Sequence, residues 1–348
     1  MTVIQNKLKN KMAAGKTLLL ILCVTMLLVS GAVGAKKERC NPQDKKALLQ
    51  LKKDLNNPYV LASWNPDEDC CTWYCVECDS KTNRIITFSI YLSVPEGKNF
   101  TAQIPNSIAG LPYLQTLQLH HLPYLTGPLN PAIAKLTNLN FIRITRTNIS
   151  GPVPAFLSQL KKLEFLDLSF NNLTGSIPAE LAQLPKLGAL HLDRNHLTGP
   201  IPPSFGSFKS NPDIYLSHNN LTGPIPPSFF KLNFTRLDLS RNKLVGDAAG
   251  LFGADKGTQT IDLSRNQFAF DLSKVKFPKT LIYLDLNHNK IYGELPAQLT
   301  SLDLQFFNVS YNRLCGKIPV GGRLQDQDVY SYLHNKCLCG SPLPNCTK

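Results

Sequence analysis

The hydrophobic positions of this chain recur in a fixed frame. Leu166-Asp-Leu168-Ser-Phe-Asn171-Asn-Leu173-Thr-Gly175-Ser-Ile177-Pro178 is followed by Leu190-His-Leu192-Asp-Arg-Asn195-His-Leu197-Thr-Gly199-Pro-Ile201-Pro202, a period of about 24 residues. The frame starts again at Phe88, Leu117, Ile142, Ile214, Leu237, Ile261, Leu284 and Phe307, which makes ten repeats. Each opens on an apolar, polar, apolar alternation, as in Leu237-Asp238-Leu239, the pattern of a short strand with one buried face. A unit this short cannot bury its apolar face alone, so the period predicts a solenoid whose stacked strands form one parallel sheet.

The Asn three residues after each alternation (Asn171, Asn195, Asn219, Asn242, Asn266, Asn289 and Asn312) is expected to turn inward and bond the buried backbone of neighbouring coils. The Gly at the next turn admits a backbone shape other residues resist, and Ile-Pro carries the chain across the convex side in extended form. These features define a leucine-rich-repeat solenoid with a concave parallel sheet. Thr147 replaces the Asn of the third repeat, and the frame loosens between Asp247 and Gly257 and near Ala269, so those coils should be the least regular.

Stacking leaves an exposed apolar edge at each end, which a cap must cover. At the front, Asn41-Pro42 signals a helix start, and Ala47, Leu48, Leu51 and Leu55 give it an apolar stripe that Trp64 and Trp73 could complete. The expected division is a signal peptide over residues 1–35, an N-terminal cap over 36–83, repeats over 84–312 and a C-terminal cap over 313–348. The signal reading rests on an early Lys-bearing stretch, an apolar run from Thr17 to Val29 and the small residues Val33-Gly34-Ala35. Met12 to Ala35 alone carries all three regions. An anchor is the competing reading, but the uncharged stretch is marginally short for a span and no later segment approaches one. A secreted product is expected.

Of ten cysteines, Cys23 falls in the signal, and the rest cluster at the two ends as Cys40, Cys70, Cys71, Cys75 and Cys78, then Cys315, Cys337, Cys339 and Cys346. In an oxidising compartment this suggests disulfides that close the caps, with one thiol left over. Zinc is the rival reading of Cys75-Val76-Glu77-Cys78, disfavoured because no second tight Cys/His pair accompanies it.

The formal charge is +13, and loss of Lys7, Lys9, Lys11 and Lys16 with the signal leaves +9. No Lys/Arg-rich run or nucleic-acid motif occurs, so an extracellular polyanion such as pectate fits better than nucleic acid, with solubility alone as the bland alternative.

Beyond the generic repeat, several segments are specific. They are Cys40-Asn-Pro-Gln-Asp-Lys-Lys-Ala-Leu-Leu-Gln50, Leu61-Ala-Ser-Trp64 with Asp69-Cys-Cys71, Thr126-Gly-Pro128 with Pro131-Ala-Ile-Ala-Lys135, Asn308-Val-Ser-Tyr-Asn-Arg-Leu-Cys-Gly316, Ile318-Pro-Val-Gly-Gly322 and Lys336-Cys-Leu-Cys-Gly-Ser-Pro-Leu-Pro344. Through them the chain resembles the plant polygalacturonase-inhibiting proteins over residues 40–348. That resemblance implies a cell-wall defence protein that binds pathogen polygalacturonases and blocks hydrolysis of homogalacturonan. It implies the pairings Cys40–Cys70, Cys71–Cys78, Cys315–Cys337 and Cys339–Cys346, with Cys75 free.

Between the buried strand positions, Asp167, Asp238, Asp262 and Asp285 should project from the concave sheet, with Asp193 one strand position later. Such an acidic ladder suits the basic cleft that the resemblance implies for the enzyme. The bland alternative is a solvent-facing Asp common to this repeat class. By resemblance Asp167, Asp193, Gln259 and Gln305 occupy enzyme-contacting positions, and His191, Tyr215 and Ser217 lie among them. Just before the ladder Asn stand Arg194, His218, Arg241, Arg265 and His288, expected to form a row. The resemblance assigns pectate to the last four positions, where Arg241 and Arg265 keep the basic type and both His depart from it. With an ordinary His pKa near 6.5, all five are expected to be cationic in a mildly acidic wall.

Equally spaced Asp on an open sheet do not make the closed, paired-carboxylate cleft of a hydrolase, so no enzyme is expected. The seven His show no metal-ligand spacing, no phosphate loop occurs, and neither metal nor cofactor is expected. Seven glycosylation acceptors occur, at Asn99, Asn148, Asn172, Asn220, Asn233, Asn308 and Asn345. A monomer is expected. A soluble recognition or co-receptor module is the alternative, since a receptor ectodomain would continue past Lys348 into a membrane helix. Ice binding would need a flat, uncharged row of Thr or Asn, and the charged concave face argues against it.

Overall fold

Periodic Leu, inward Asn and turn Gly wind the chain into right-repeating coils of nearly constant length. In the computed structural model, which describes residues 38–91 and 102–346, Arg39–Lys348 forms one compact unit. The expected signal segment and Asn99 lie outside the described residues.

Ten strands carry the frame: Ile85–Tyr91, Thr116–Gly127, Phe141–Pro152, Phe165–Asp167, Ala189–His191, Asp213–Tyr215, Arg236–Asp238, Thr260–Asp262, Tyr283–Asp285 and Phe306–Asn308. They pair in parallel, each coil on the next, so Leu166, Leu190, Ile214, Leu237, Ile261 and Leu284 share one register and are fully buried. The single core is the interior of this stack, a column of Leu, Ile and Phe closed on the convex side by short 3-10 turns such as Ala155–Gln159 and Pro203–Ser207.

A second line of parallel strands runs beside the first: Asn172–Ser176, His196–Gly199, Asn220–Pro224, Lys243–Gly246 and Gln267–Phe268. This lateral sheet was not expected. Each of its strands buries one Leu or Phe (Leu173, Leu197, Leu221, Leu244, Phe268), too little alternation to mark a strand in sequence. Its coils end on left-handed glycines, such as Gly199 at φ 78°, a shape a side chain would strain. In the last of these coils Phe270 stands where that Gly would be, and the strand shrinks to the two residues Gln267–Phe268. The loose coil after Asp247 is held instead by Lys256, whose Nζ donates to the carbonyls of Phe230, Gly250 and Leu251 at 2.8–3.1 Å.

The asparagine ladder is the hinge between the two sheets. Asn195 is typical: its Nδ2 donates to the carbonyls of Leu168, Leu192 and Asp193, and its Oδ1 accepts from the Leu173 N–H. Asn171, Asn219, Asn242, Asn266, Asn289 and Asn312 make the same kind of contact. Asn335 adds a rung in the C-terminal cap, bonding Val309 O, Tyr332 O and Leu314 N. Where Thr147 stands in the third repeat, its Oγ1 donates to the Asn171 Oδ1 at 2.5 Å.

At the front, helix Pro42–Asp54 is capped by the Asn41 side chain and buries Leu48, Leu51 and Leu55. Trp64 and Trp73 are buried and stacked at 5.5 Å. Beneath the helix, Asp44 is 1 % exposed and receives Arg84 at 2.6 and 2.9 Å and the Ile85 N–H at 2.9 Å. Disulfides join Cys40 to Cys70, Cys71 to Cys78, Cys315 to Cys337 and Cys339 to Cys346, and Cys75 is free. Cys78 is thus committed to a disulfide rather than to a metal. Among the described residues no helix is long and apolar enough to cross a membrane.

Candidate functional site

The concave sheet presents three side-chain positions per coil, which the register lines up into rows. The first row contains Phe141, Phe165, Ala189, Asp213, Arg236, Thr260, Tyr283 and Phe306. In the second, Arg143, Asp167, His191 and Tyr215 are followed by Asp238, Asp262 and Asp285, then Asn308. Asp193 and Ser217 lie two residues further along their coils than His191 and Tyr215, with Ser240 and Ser264 at the same phase.

The acidic ladder is therefore in two parts. Asp238, Asp262 and Asp285 are consecutive, on strands about 4.8 Å apart. Asp167 is separated from them by His191 and Tyr215. The expectation that Asp167 faces solvent is corrected: it is 7 % exposed, as is Asp285. The Arg143 Nε donates to Asp167 Oδ2 at 3.2 Å, and the Ser169 N–H and Oγ donate to its Oδ1 at 3.1 and 2.7 Å. Arg143 itself lies over the stacked Phe141 and Phe165 rings, which hold its guanidinium beside Asp167. The same local bond recurs down the row, the carboxylates of Asp238, Asp262 and Asp285 accepting from the N–H two residues on. These Asp brace the strand ends as well as charging the face, a role the sequence does not disclose.

Burial and mutual repulsion set their charge. Asp262, half-buried and flanked by Asp238 and Asp285, has its carboxyl pushed up to about 7, first by burial and then by its two neighbours. Asp193 is likewise pushed up to about 7 by burial, then by Asp167 and Asp238. Burial also raises Asp285, and raises Asp213 against the lowering effect of Arg236, whose N–H donates to Asp213 Oδ1 at 2.9 Å. Below neutral pH the face is less negative than its formal count.

His191 and Tyr215 meet edge-to-face at 4.4 Å, continuing the aromatic run from Phe165. Tyr283 stacks on Phe306 at 4.5 Å. The central strands thus offer aromatic surface on both sides of the acidic triplet, while Ser217 is buried. Gln259 is half-buried and Gln305 exposed, each just ahead of its strand.

The residues before the ladder Asn do form a row, and it is longer than expected. Arg146, Phe170, Arg194, His218, Arg241, Arg265, His288, Tyr311 and His334 all have left-handed backbone, with φ between 51° and 60°. That conformation costs a non-Gly residue on the order of 1–2 kcal/mol, and the inward residue that follows each one, Asn or, after Arg146, Thr147, offsets it through its hydrogen bonds. The row is cross-linked by rings: Phe170 lies between Arg146 at 4.2 Å and Arg194 at 4.9 Å, and Tyr311 between His288 and His334 at 4.1 Å each. The expected ordinary titration of His218 and His288 is corrected. Burial lowers both, and so do the flanking cations, Arg194 and Arg241 for His218, Arg265 and Arg241 for His288.

Asn148 and Asn172 are exposed and Asn220 half-buried on the lateral sheet, Asn233 and Asn345 are exposed, and half-buried Asn308 lies in the concave row, accepting from Ser310.

The chain matches the leucine rich repeat N-terminal domain over residues 41–79 and leucine rich repeats over 135–197, 213–232 and 280–302. Among solved structures it is similar to a plant ice-binding protein, with TM-score 0.86 and 52 % identity, covering 89 % of this chain and 99 % of that one. It is also similar to the ectodomain of an Arabidopsis thaliana membrane receptor kinase, with TM-score 0.60 and 30 % identity, covering 71 % of this chain and 33 % of the other. A polygalacturonase inhibitor of Pyrus communis is 60 % identical over 326 residues, 93 % of this chain and 97 % of its own. Polygalacturonase inhibitor 1 of Arabidopsis thaliana is 56 % identical over 328 residues, 93 % of this chain and 98 % of its own. With 93 % of its length aligned to each of these inhibitors at 56 % identity or more, the chain belongs to the polygalacturonase inhibitor family of leucine-rich-repeat proteins.

Proposed function

We propose that this chain is a secreted cell-wall protein that binds endopolygalacturonases of pathogens through the concave face and so occludes their substrate cleft. The observation that supports this most is the composition of that face. An in-register acidic triplet, Asp238, Asp262 and Asp285, lies between two aromatic groups on an open sheet. An enzyme that holds a polyanionic substrate needs a basic cleft, and such a cleft complements this arrangement in charge, with His191, Tyr215, Tyr283 and Phe306 as apolar anchors. Asp193, Gln259 and Gln305 would border the contact, and Asp167, tied to Arg143, would shape it from beneath. Mixing the protein with a fungal endopolygalacturonase and looking for a complex of defined stoichiometry by size-exclusion chromatography tests the reading. Separate elution of the two proteins across a panel of enzymes would remove it.

Pectate is the second proposed ligand, held along the left-handed row. Arg194, Arg241 and Arg265 are exposed there, and His218, on the coil between the first two, and His288 add charge only on acidification.

One specific observation favours a second reading, ice binding. On the lateral sheet Thr174, Thr198 and Thr222 are exposed at the same phase, on strands that also present Asn172 and Asn220. This is the uncharged strip that the concave face lacks. Asn172-Leu-Thr174 and Asn220-Leu-Thr222 are also glycosylation acceptors, so glycans would cover the strip. Thermal hysteresis of the enzymatically deglycosylated protein separates the two, and its absence would dismiss ice binding.

A further inference from the structure

Two lines of side chains flank the asparagine ladder, one contributed by the residue before each Asn and one by the residue after it. Along the C-terminal half they change in opposite senses. The first line keeps Arg241 and Arg265 and then becomes the stacked column His288–Tyr311–His334. The second line is uncharged at Asn148, Asn172 and Asn220, but from Lys243 onward it gains Lys290, Arg313 and Lys336, all exposed. Arg241 and Lys243 share a coil and Arg265 stands opposite the neutral Gln267, but from Lys290 on the cation of each coil is on the second line and the first line holds the ring column.

No acid occupies either line over this stretch. The ion pairs among the described residues engage other cations, namely Arg39, Arg84, Arg143, Lys274 and Arg323. Lys290 meets a neutral partner, its Nζ donating to Gln267 Oε1 at 3.1 Å. His288 and Lys290 flank the inward-turned Asn289, so the two lines are neighbours at the coil where the charge changes side.

We propose that the polyanion path crosses the ladder at this coil, running from Arg241 and Arg265 to Lys290 and on over Arg313 and Lys336 to the C-terminal cap. The ligand class is a linear polyuronate, and the proposal rests on the pectate reading above. At least one cation per coil outside the ion pairs, repeated about every 4.8 Å, suits a chain with one carboxylate per unit. A nucleic acid fits less well, because the central ring beside the path, Tyr311, has both faces covered by His288 and His334 and cannot stack on a base. The crossing also makes good the cation that His288 lacks near neutral pH.

The test is binding of the full chain to immobilised sodium polygalacturonate at pH 7 and fixed ionic strength. Three variants are compared with the parent: Lys290→Gln/Arg313→Gln/Lys336→Gln, the charge-keeping Lys290→Arg/Arg313→Lys/Lys336→Arg, and Lys161→Gln/Lys186→Gln/Lys209→Gln on the far edge as an equal loss of net charge. Exposed contacts of this kind are weak singly, so the first variant should bind roughly tenfold more weakly, the second like the parent, and the third within about twofold of it. A parent that does not bind removes the pectate reading itself. If the parent binds and the first variant matches it, or the third falls as far as the first, the crossing is overturned while the role of Arg241 and Arg265 stands.

Discussion

Arg143 and Asp167, side by side on adjacent strands, are joined at 3.2 Å, with the Arg143 guanidinium over the Phe141 and Phe165 rings, and this pair anchors one end of the concave face. Because Asp167 is buried and bonded to three donors, Asp167→Asn should cost about 1–3 kcal/mol in urea unfolding at pH 7.5, by leaving Arg143 without its partner. Asp193→Asn should not destabilise there. Equal effects of the two substitutions would mean that the pair contributes nothing.

Carboxyls raised in the folded state make stability fall as pH rises. With Asp262 pushed up to about 7 from an unfolded value near 3.8, the folded chain holds more protons between those limits. The stabilisation is complete below the lower value and lost as pH passes the upper one. Asp262→Asn removes this, so the difference in Tm between variant and parent should be greater at pH 8 than at pH 5. A pH-independent difference would contradict the placement of Asp262 between two like charges.

The repeat frame, the inward Asn and the helix start were legible because each is a local rule: a buried backbone needs a bonding side chain at every coil, and Asn-Pro caps a helix wherever it stands. Asp167 shows where legibility stops. Leu166-Asp-Leu168 and Leu237-Asp-Leu239 are the same motif, yet Asp167 is buried and Asp238 half-buried, because Arg143 and His191, one coil away on either side, decide it. The Asp44–Arg84 pair, 40 residues apart, and the lateral sheet carry no local signature at all. Asn335 escaped notice because the frame around it gives way to the cysteine-rich cap.

The ladder predicts a uniform cost. Asn242→Ala removes bonds to Leu216 O, Leu239 O and Ser240 O and leaves the Leu221 N–H unpaired in the core, about 1–3 kcal/mol or more by chemical denaturation. Asn335→Ala should behave alike. A near-neutral Asn335→Ala would show that the cap does not continue the ladder.

Burial pushes the Cys75 thiol up to about 12, so it should resist alkylation by iodoacetamide at pH 8 until the chain is unfolded. Cys75→Ala should be tolerated, whereas Cys337→Ser should cost about 2–5 kcal/mol. Rapid alkylation of the native protein would place Cys75 at the surface.

Pectate binding should carry a pH dependence set by the histidines of the left-handed row. Pectate retention should strengthen on acidification only below the ordinary His value near 6.5, since His218 and His288 are lowered by burial and by their Arg neighbours. His218→Gln/His288→Gln should abolish that rise, and an unchanged pH profile would exclude the histidines.

Occlusion of the enzyme cleft by the concave face is read from the initial rate of reducing-sugar release from polygalacturonate by a panel of fungal endopolygalacturonases. Each is assayed with the parent, with Tyr215→Ala/Gln259→Lys on the concave face, and with Thr198→Lys on the lateral sheet. The parent and the lateral variant should inhibit at least one enzyme saturably, and the concave variant should lose that inhibition. No inhibition across the panel, or equal inhibition by the concave variant, would contradict occlusion by this face.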